Sequence, residues 1–373
     1  MLHIDQNTQA DSLVPILLGD AQLIEQVLYL QIAEMVFAVR SNNRSLMAAL
    51  RDYFEHIVVA NVEGKSVTLE IIAIEGPEIE LDITWHDWAR EPGKIGKKDA
   101  YFDLADGRLV RKVRTGMTFL QSTKHYIASG PCVANSNQVI NFINAQYMSI
   151  LQQHNWLICH AAAVAFGQKA IAISGFSGGG KSTMMLHLMA DSRFKFVSND
   201  RLFIKADTTG GTALVESRGI PKLPRVNPGT VVNNPQLRSI LSAEEAAQFE
   251  AMDTAELWDI EQKYDVMIND IYGDNRFEAA PILAHFIVLN WSRASDEATQ
   301  ITSVDIAERS ALLDAIMKSP GPFYQYADGR FYQDHTPLIR QGYIDLLSKV
   351  NVIEVSGRVD FDALQRYCLQ ELV

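Results

Sequence analysis

The 373-residue sequence predicts an α/β chain in two parts, a smaller α+β region over 1–135 and a larger α/β region over 136–373. Three observations lead there. Short apolar runs separated by turn residues fill 67–129. The character changes near Asn155, after a long amphipathic segment. Beyond it a glycine-rich stretch stands between an apolar run at 170–174 and a helical segment reaching Met189.

Composition sets outer limits. With 47% hydrophobic residues the chain can bury a large core, and its mixed charges argue against global disorder. A net charge of −12 argues against a general affinity for nucleic acid or anionic membranes. No apolar run approaches the roughly 20 residues that span a bilayer. The first residues lack the basic and apolar regions of a secretory signal. The three cysteines, Cys132, Cys159 and Cys368, show no metal-ligand spacing and read as reduced thiols. Together these give the expectation of a cytoplasmic protein.

The elements follow in order. Residues 27–39 read as a strand. Ser41 or Asn42 then caps a helix over 44–56, because Leu46, Leu50, Tyr53 and Phe54 recur at helical spacing. Segments 67–74 and 79–85 read as strands. Segments 103–113, 117–121 and 124–129 form a meander, with Asp106-Gly107 and Thr115-Gly116 at its turns. A helix over 137–153 lines Val139, Ile140, Phe142, Ile143 and Tyr147 on one face. Segments 156–166 and 170–174 are buried strands joined at Gly167, and 194–198 and 201–205 are shorter ones. Pro221, Pro224, Pro228 and Pro235 mark a long irregular stretch. A strand at 282–289 and helices over 307–317, 338–349 and from Asp360 onward close the chain.

The glycine-rich stretch reads Gly175-Phe176-Ser177-Gly178-Gly179-Gly180-Lys181-Ser182-Thr183. It fits the phosphate-binding pattern G-x-x-x-x-G-K-[ST]. The glycines let backbone N–H groups converge on an anion. Lys181 would meet the β- and γ-phosphates, and the Ser182 hydroxyl would ligate Mg²⁺. The helix that follows would aim its positive end at the phosphates. The strand before and the helix after supply the context the pattern requires. The ligand expected is ATP with Mg²⁺, and the residues 175 and 177–183 are its binding set.

Asp200 ends the short strand about twenty positions later, where a carboxylate could hold Mg²⁺ or accept a proton. It could equally begin a turn. His160 lies in an apolar run, where a lone histidine is more often a satisfied core residue than a catalytic one. Lys222 and Arg225, flanked by prolines, form a rigid cationic pair suited to gripping a phosphate or an acidic substrate. A solvated loop is the alternative. Tyr264, Asp265 and Asp270 read equally as site lining or surface and receive no role.

The order His160-Ala161-Ala162, then 175–183, then Val197-Ser198-Asn199-Asp200, then Val215-Glu216-Ser217-Arg218-Gly219-Ile220 resembles the catalytic domain of the HPr kinase/phosphorylase family, in its HPr-kinase-related branch. The resemblance covers roughly 155–230. It implies a fold akin to phosphoenolpyruvate carboxykinase, with a mixed sheet, and phosphorylation of a serine hydroxyl on a protein. It also implies self-association. Carried over, Lys181 is the loop lysine, Ser182 the metal hydroxyl, and His160 the histidine beside metal and phosphates. Glu216 and Arg218 fall on the signature that lines the site.

Three departures stand out. Asn199 occupies the position usually credited with the general base, so Asp200 must serve, or transfer must rely on positioning and metal. The loop ends Ser182-Thr183 where the family has Ser-Glu. The run after Gly219 is replaced by a proline-rich one. The last two argue against phosphorylase activity and for a substrate other than HPr.

The expectation is an ATP-dependent kinase acting on a hydroxyl, of Ser or Thr in a protein or peptide, or of a small molecule. Asp200, His160 and Lys181 are its catalytic residues, Ser182 and Asp200 hold the metal, and Glu216, Arg218, Lys222 and Arg225 serve substrate or phosphate. A nucleotide-responsive binding protein without transfer chemistry is the second reading, favoured by Asn199. A simple ATPase or GTPase ranks last. The first region is expected to recognise the substrate.

Overall fold

A computed structural model describes residues 3–62, 64–89, 96–176, 178–207, 214–252, 257, 260 and 262–373. The chain divides into two units: Met1–Asn155 with Pro320–Pro337, and Trp156–Ser319 with Leu338–Val373. Both are built on mixed sheets, and no helix among the described residues is long and apolar enough to cross a membrane.

In the first unit the apolar run at 27–39 is a hairpin and not one strand. Strands β1 (Leu28–Ile32) and β2 (Met35–Ser41) pair antiparallel, with Ile32 opposite Met35. The turn between them puts Ala33 at a φ of 52°. The following helix, Arg44–Tyr53, is capped by Asn43, whose side chain accepts the Leu46 N–H at 3.0 Å. Further strands are β3 (Val58–Val59), β4 (Leu69–Glu75), β5 (His86–Asp87), β6 (Asp99–Asp103), β7 (Gly107–Lys112), β8 (Met117–Ser122) and β9 (Tyr126–Gly130). The sheet runs β3-β1-β2-β4-β9-β8-β7-β6-β5, parallel at β2/β4 and β4/β9.

Residues 79–85 keep the alternation that suggests a strand: Ile79, Leu81, Ile83 and Trp85 all pack on a core of Leu13, Leu17, Leu109 and Leu120. They form no ladder, so the segment is extended but not a strand. The helix Ser136–Gln153, grouped with the second region on sequence, packs in the first unit. Its Phe142 ring lies 4.9 Å from Phe119, Tyr147 lies 6.5 Å from Phe37, and Gln146 donates to Gln121 at 3.0 Å.

The second unit holds β10 (Leu157–Cys159), β11 (Ala161–Phe166), β12 (Lys169–Gly175), β13 (Phe194–Ser198), β14 (Leu202–Asp207), β15 (Leu214–Gly219), β16 (Arg225–Val226), β17 (Tyr264–Asp265), β18 (Ile282–Leu289), β19 (Gln300–Val304) and β20 (Asn351–Ser356). The main sheet runs β10-β14-β15-β18-β12-β11-β13, with β20 beside β18 and β19 beside β20. β12/β18 and β18/β20 are parallel, the other pairs antiparallel.

One face carries small side chains: Ala161, Ala163, Ala165, Ala170 and Ala172 share a core with Ile316 and Leu347. The helix Lys181–Met189 packs on β11, β12 and β13, burying Met184, Met185, Leu186, Leu188 and Met189. A helix that is apolar after its first turn except for His187 reads as an interior one. Burying each such side chain contributes roughly 1.5–3 kcal/mol. Its polar residues lie at the N-terminus, beside the glycine loop, apart from the half-buried His187 in the last turn.

The proline-rich stretch is not irregular throughout. β16 pairs with β17, and a short helix, Pro228–Val232, starts at Asn227, whose side chain accepts the Thr230 N–H at 2.9 Å. Pro228 sits at its first position, where a missing N–H costs nothing. Two of the C-terminal helices are shorter than expected: a 3-10 turn Ser310–Leu312 runs into Leu313–Ile316, followed later by Arg340–Leu347; the last, Phe361–Tyr367, continues as a wider helical turn over Cys368–Leu372 as expected.

Candidate functional site

The glycine loop joins the end of β12 to the helix Lys181–Met189. Gly175 is in register with Leu289 of the parallel neighbour β18. Phe176 is exposed, and the Gly179 N–H donates to its carbonyl at 2.9 Å, closing a turn. Ser177 lies outside the described residues. Gly178 and Gly180 have φ of 77° and 84°, conformations that L side chains rarely adopt. Lys181 and Ser182, both half-buried, are the first two residues of the helix. Their position at a helix N-terminus gives the electropositive end that an anion requires.

Ser182 has a definite partner. Its hydroxyl donates to Asn199 Oδ1 at 2.8 Å. Asn199 is buried, so that amide oxygen is fixed on the loop. Sequence reasoning treats Asn199 only as a missing base. The structure gives it a different place, beside the hydroxyl expected to meet a metal, and the residue next to Ser182 is Asn199 and not Asp200. Ser182 Oγ and Asn199 Oδ1 are two oxygens, the hard donor atom that Mg²⁺ takes. Among the described residues no three of His, Cys, Asp and Glu gather into a metal cage. The set fits a Mg²⁺ that brings phosphate and water ligands of its own.

Asp200 turns the other way. It adopts a left-handed backbone with φ 73°, in a turn stapled by Ser198, whose hydroxyl donates to the Arg201 carbonyl and accepts the Ile220 N–H at 3.2 Å. Its carboxylate pairs with Arg201 and lies 2.9 Å from His160 Nε2. Burial raises the Asp200 pKa, but Arg201, His160 and Lys318 outweigh it and hold the carboxyl well below the usual range. Such a carboxylate stays charged and is a weak proton acceptor.

His160 is no core residue. The run at 156–166 breaks at it: Cys159 pairs with Leu202 of β14, while Ala161 pairs with Ser174 of β12. Between these ladders the His160 N–H donates to the Ile316 carbonyl at 2.6 Å. Burial lowers the imidazole pKa, with Lys181 and Lys318 adding to it and Asp200 opposing. A carboxylate only accepts hydrogen bonds, so Nε2 carries the proton, and Nδ1 keeps a lone pair whenever the ring is neutral. The structure thus gathers Lys181, His160, Asp200, Arg201 and Lys318. Arg201 and Lys318 are not singled out on sequence; the antiparallel bridge between Cys159 and Met317 carries Lys318 there, and nothing local announces it.

The signature residues lie on β15. Glu216 is opposite Lys205 and Ile282, and the Arg218 guanidinium lies 4.8 Å above the Trp156 ring. Their strand reaches the site through its end, where Ile220 meets Ser198. From there the chain passes Lys222 and Arg225 and returns at Thr230, whose hydroxyl is 3.2 Å from that of Thr183. Thr183 is buried there. Arg225 Nε lies 3.0 Å from Asp265 Oδ1. Burial raises the Asp265 pKa while Arg225 and Lys222 lower it, so both cations face that carboxylate. Ile220, Leu223 and Val226 are buried, which makes 220–230 a packed strap and not a solvated loop.

Over 58% of its length the structure is similar to 90% of the Hpr(Ser) kinase/phosphatase from Coxiella burnetii, at 8% sequence identity and a TM-score of 0.28. No family model and no curated protein matches the chain.

The His160–Asp200 pair has a measurable signature. His160 is expected to titrate below the usual value of about 6.5, and lower still in Asp200→Asn, which removes the opposing charge. Asparagine tolerates the left-handed backbone, so the substitution is conformationally mild. Imidazole NMR across pH 4–8 reads both midpoints, and an unchanged or higher midpoint in the variant would break the assignment. The linkage signs differ. The stabilisation from Asp200 is complete above its unfolded pKa of about 3.9 and is lost as pH falls through its lower folded value. The depressed His160 erodes stability as pH falls below about 6.5, because the unfolded imidazole protonates first.

Proposed function

We propose that this chain is an ATP-dependent phosphotransferase that moves a γ-phosphoryl group to a hydroxyl, of Ser or Thr in a protein or peptide. The observation that carries the reading is the contact of Ser182 Oγ with Asn199 Oδ1 at 2.8 Å, one residue from Lys181 and one residue from the Asp200–His160 pair. It joins a phosphate-binding loop to a second, chemically active segment.

Lys181 and the loop amides bind and orient the phosphates. Bound Mg²⁺, held through Ser182 with Asn199 nearby, would neutralise charge on the phosphates. Asp200, too acidic to take a proton, fixes the ring of His160 through Nε2. His160 Nδ1 then accepts the proton that the attacking hydroxyl loses. Little base strength is needed, because phosphoryl transfer depends mainly on positioning and electrostatics. The strap with Lys222 and Arg225 borders the acceptor.

The test is transfer of labelled phosphate from ATP to a library of Ser- and Thr-containing proteins and peptides, with Mg²⁺. Wild type is expected to label an acceptor, and His160→Ala and Asp200→Asn to lower the rate by about 10²-fold or more at little changed ATP affinity. Bound ATP with no transfer to any acceptor would favour a second reading. In that reading the chain is a nucleotide-responsive binding protein, and the saturated, strongly acidic Asp200 is the feature that supports it.

A further inference from the structure

Two aromatic side chains outside the loop hold its last glycines. Trp291 follows the end of β18, is buried, and donates its indole N–H to the Gly179 carbonyl at 2.8 Å. Its own backbone is fixed on both sides: the Asn290 N–H donates to Val355 at 2.8 Å and the Ser292 N–H to Gly357 at 2.9 Å. Phe361 packs edge-on against Trp291, with centroids 5.1 Å apart. A Cβ on Gly180 would come within 2.6 Å of the Phe361 ring. Phe361 opens a helix capped by the Asp360 side chain, which accepts the Ala363 N–H at 2.9 Å. The same helix is tied to the loop helix: Gln365 donates to the His187 carbonyl at 2.7 Å, and the His187 ring stacks on Phe361 at 5.4 Å.

The geometry has a directional consequence. The Gly179 carbonyl and the Gly180 N–H belong to one planar trans peptide and point opposite ways. Holding the carbonyl on the indole therefore aims the Gly180 N–H away from Trp291. A phosphate loop is shaped by backbone N–H groups that converge on an anion, so what orients those peptides decides how ready it is to bind one. We infer that Trp291 and Phe361 are positioning residues that keep the phosphate loop in its anion-binding shape before any nucleotide arrives. Sequence reasoning has no access to this: Trp291 and Phe361 lie more than a hundred positions from the loop and belong to no pattern.

The inference rests on the nucleotide reading of the loop, and two measurements separate them. Trp291→Phe keeps an aromatic ring against Phe361 and removes only the donor. In the nucleotide-free protein its loop amides over 178–182 should exchange with solvent about fivefold faster, as loss of one hydrogen bond implies, while the sheet amides stay unchanged. The dissociation constant for Mg²⁺–ADP should rise by about 5–10-fold, with a melting temperature close to that of wild type. Phe361→Ala should loosen the same amides, because the ring seated against Gly180 is gone. Loop exchange in Trp291→Phe equal to wild type overturns the brace whether or not nucleotide binds. Faster exchange in Trp291→Phe, with a wild type that does not bind Mg²⁺–ADP, leaves the brace standing and overturns the nucleotide reading instead.

Discussion

Gly219→Ala is expected to be the most damaging single methyl group in the second unit. A Cβ at 219 would lie 1.8 Å from the Val197 carbonyl oxygen, 2.7 Å from its carbon and 3.2 Å from Ser198 Cβ. Backbone, not a flexible side chain, stands in the way. Neither partner can retreat: Gly219 is in register with Leu202, its N–H donates to Ala279 at 3.4 Å, and the next N–H is held by Ser198. Overpacking against fixed backbone costs more than the usual range of about 1–3 kcal/mol, on the order of 4 kcal/mol. For a unit of this size that is a fall in melting temperature of roughly 10 °C. Thermal unfolding checks it, and a loss below about 1 kcal/mol would mean that β15 slides off β13 at little cost. Because Ser198 leads to Asn199 and Asp200, the variant should also disturb the site.

Lys181→Ala should produce the opposite profile, a functional collapse in a stable fold. Charge-assisted hydrogen bonds contribute about 1.5–3 kcal/mol each, so losing contacts to two phosphates predicts a weakening of ATP or ADP binding by roughly 10²-fold or more. Alanine favours the helix, and the residue is only half-buried, so the melting temperature should hold. A coupled effect distinguishes loss of this particular charge from general damage. Lys181 lowers the His160 pKa, so the His160 midpoint should rise in Lys181→Ala while it falls in Asp200→Asn. Calorimetric titration with Mg²⁺–ADP and imidazole NMR read the two effects. Binding within threefold of wild type would remove the loop from the nucleotide site.

The parts of the molecule that were legible in the sequence are those fixed by local pattern. The loop between β12 and its helix follows from a strand, three glycines and a lysine, and the helix Ser136–Gln153 from its apolar spacing. Errors arose where partners are distant or a turn lacks its usual residues. Ala33-Glu34 carries no turn signal, so the β1/β2 hairpin read as one strand. Residues 79–85 alternate as a strand does, but pleating without a neighbour is not a ladder. β20 completes the parallel part of the sheet, yet Asn351–Ser356 carries no Gly or Pro turn signal that sets it off from the helix before it.

The site shows the same division. Residue types and their order single out Lys181, Ser182, His160 and Asp200 as candidates. They do not reveal which oxygen faces which. That Asn199 meets Ser182 while Asp200 meets His160 depends on a left-handed turn at Asp200, and φ at a single aspartate is not written in the spacing. Likewise Arg225 finds Asp265 through the pairing of β16 with β17, forty positions apart. A cationic strap whose sequence suits it to grip a substrate already has a carboxylate to release.

The break between β10 and β11 sets how freely the site can change. Residue 160 belongs to neither ladder, and the hydrogen bond from its backbone N–H to Ile316 is independent of its side chain. A different side chain there leaves both registers intact. This is therefore a position where new chemistry can be tried by exchange (a thiol or an amide, though not a carboxylate, which would face Asp200), whereas the flanking Cys159 and Ala161 are committed to the core. The fold keeps the candidate base position in a gap between two ladders, so the side chain at that point can be altered separately from the sheet that carries it.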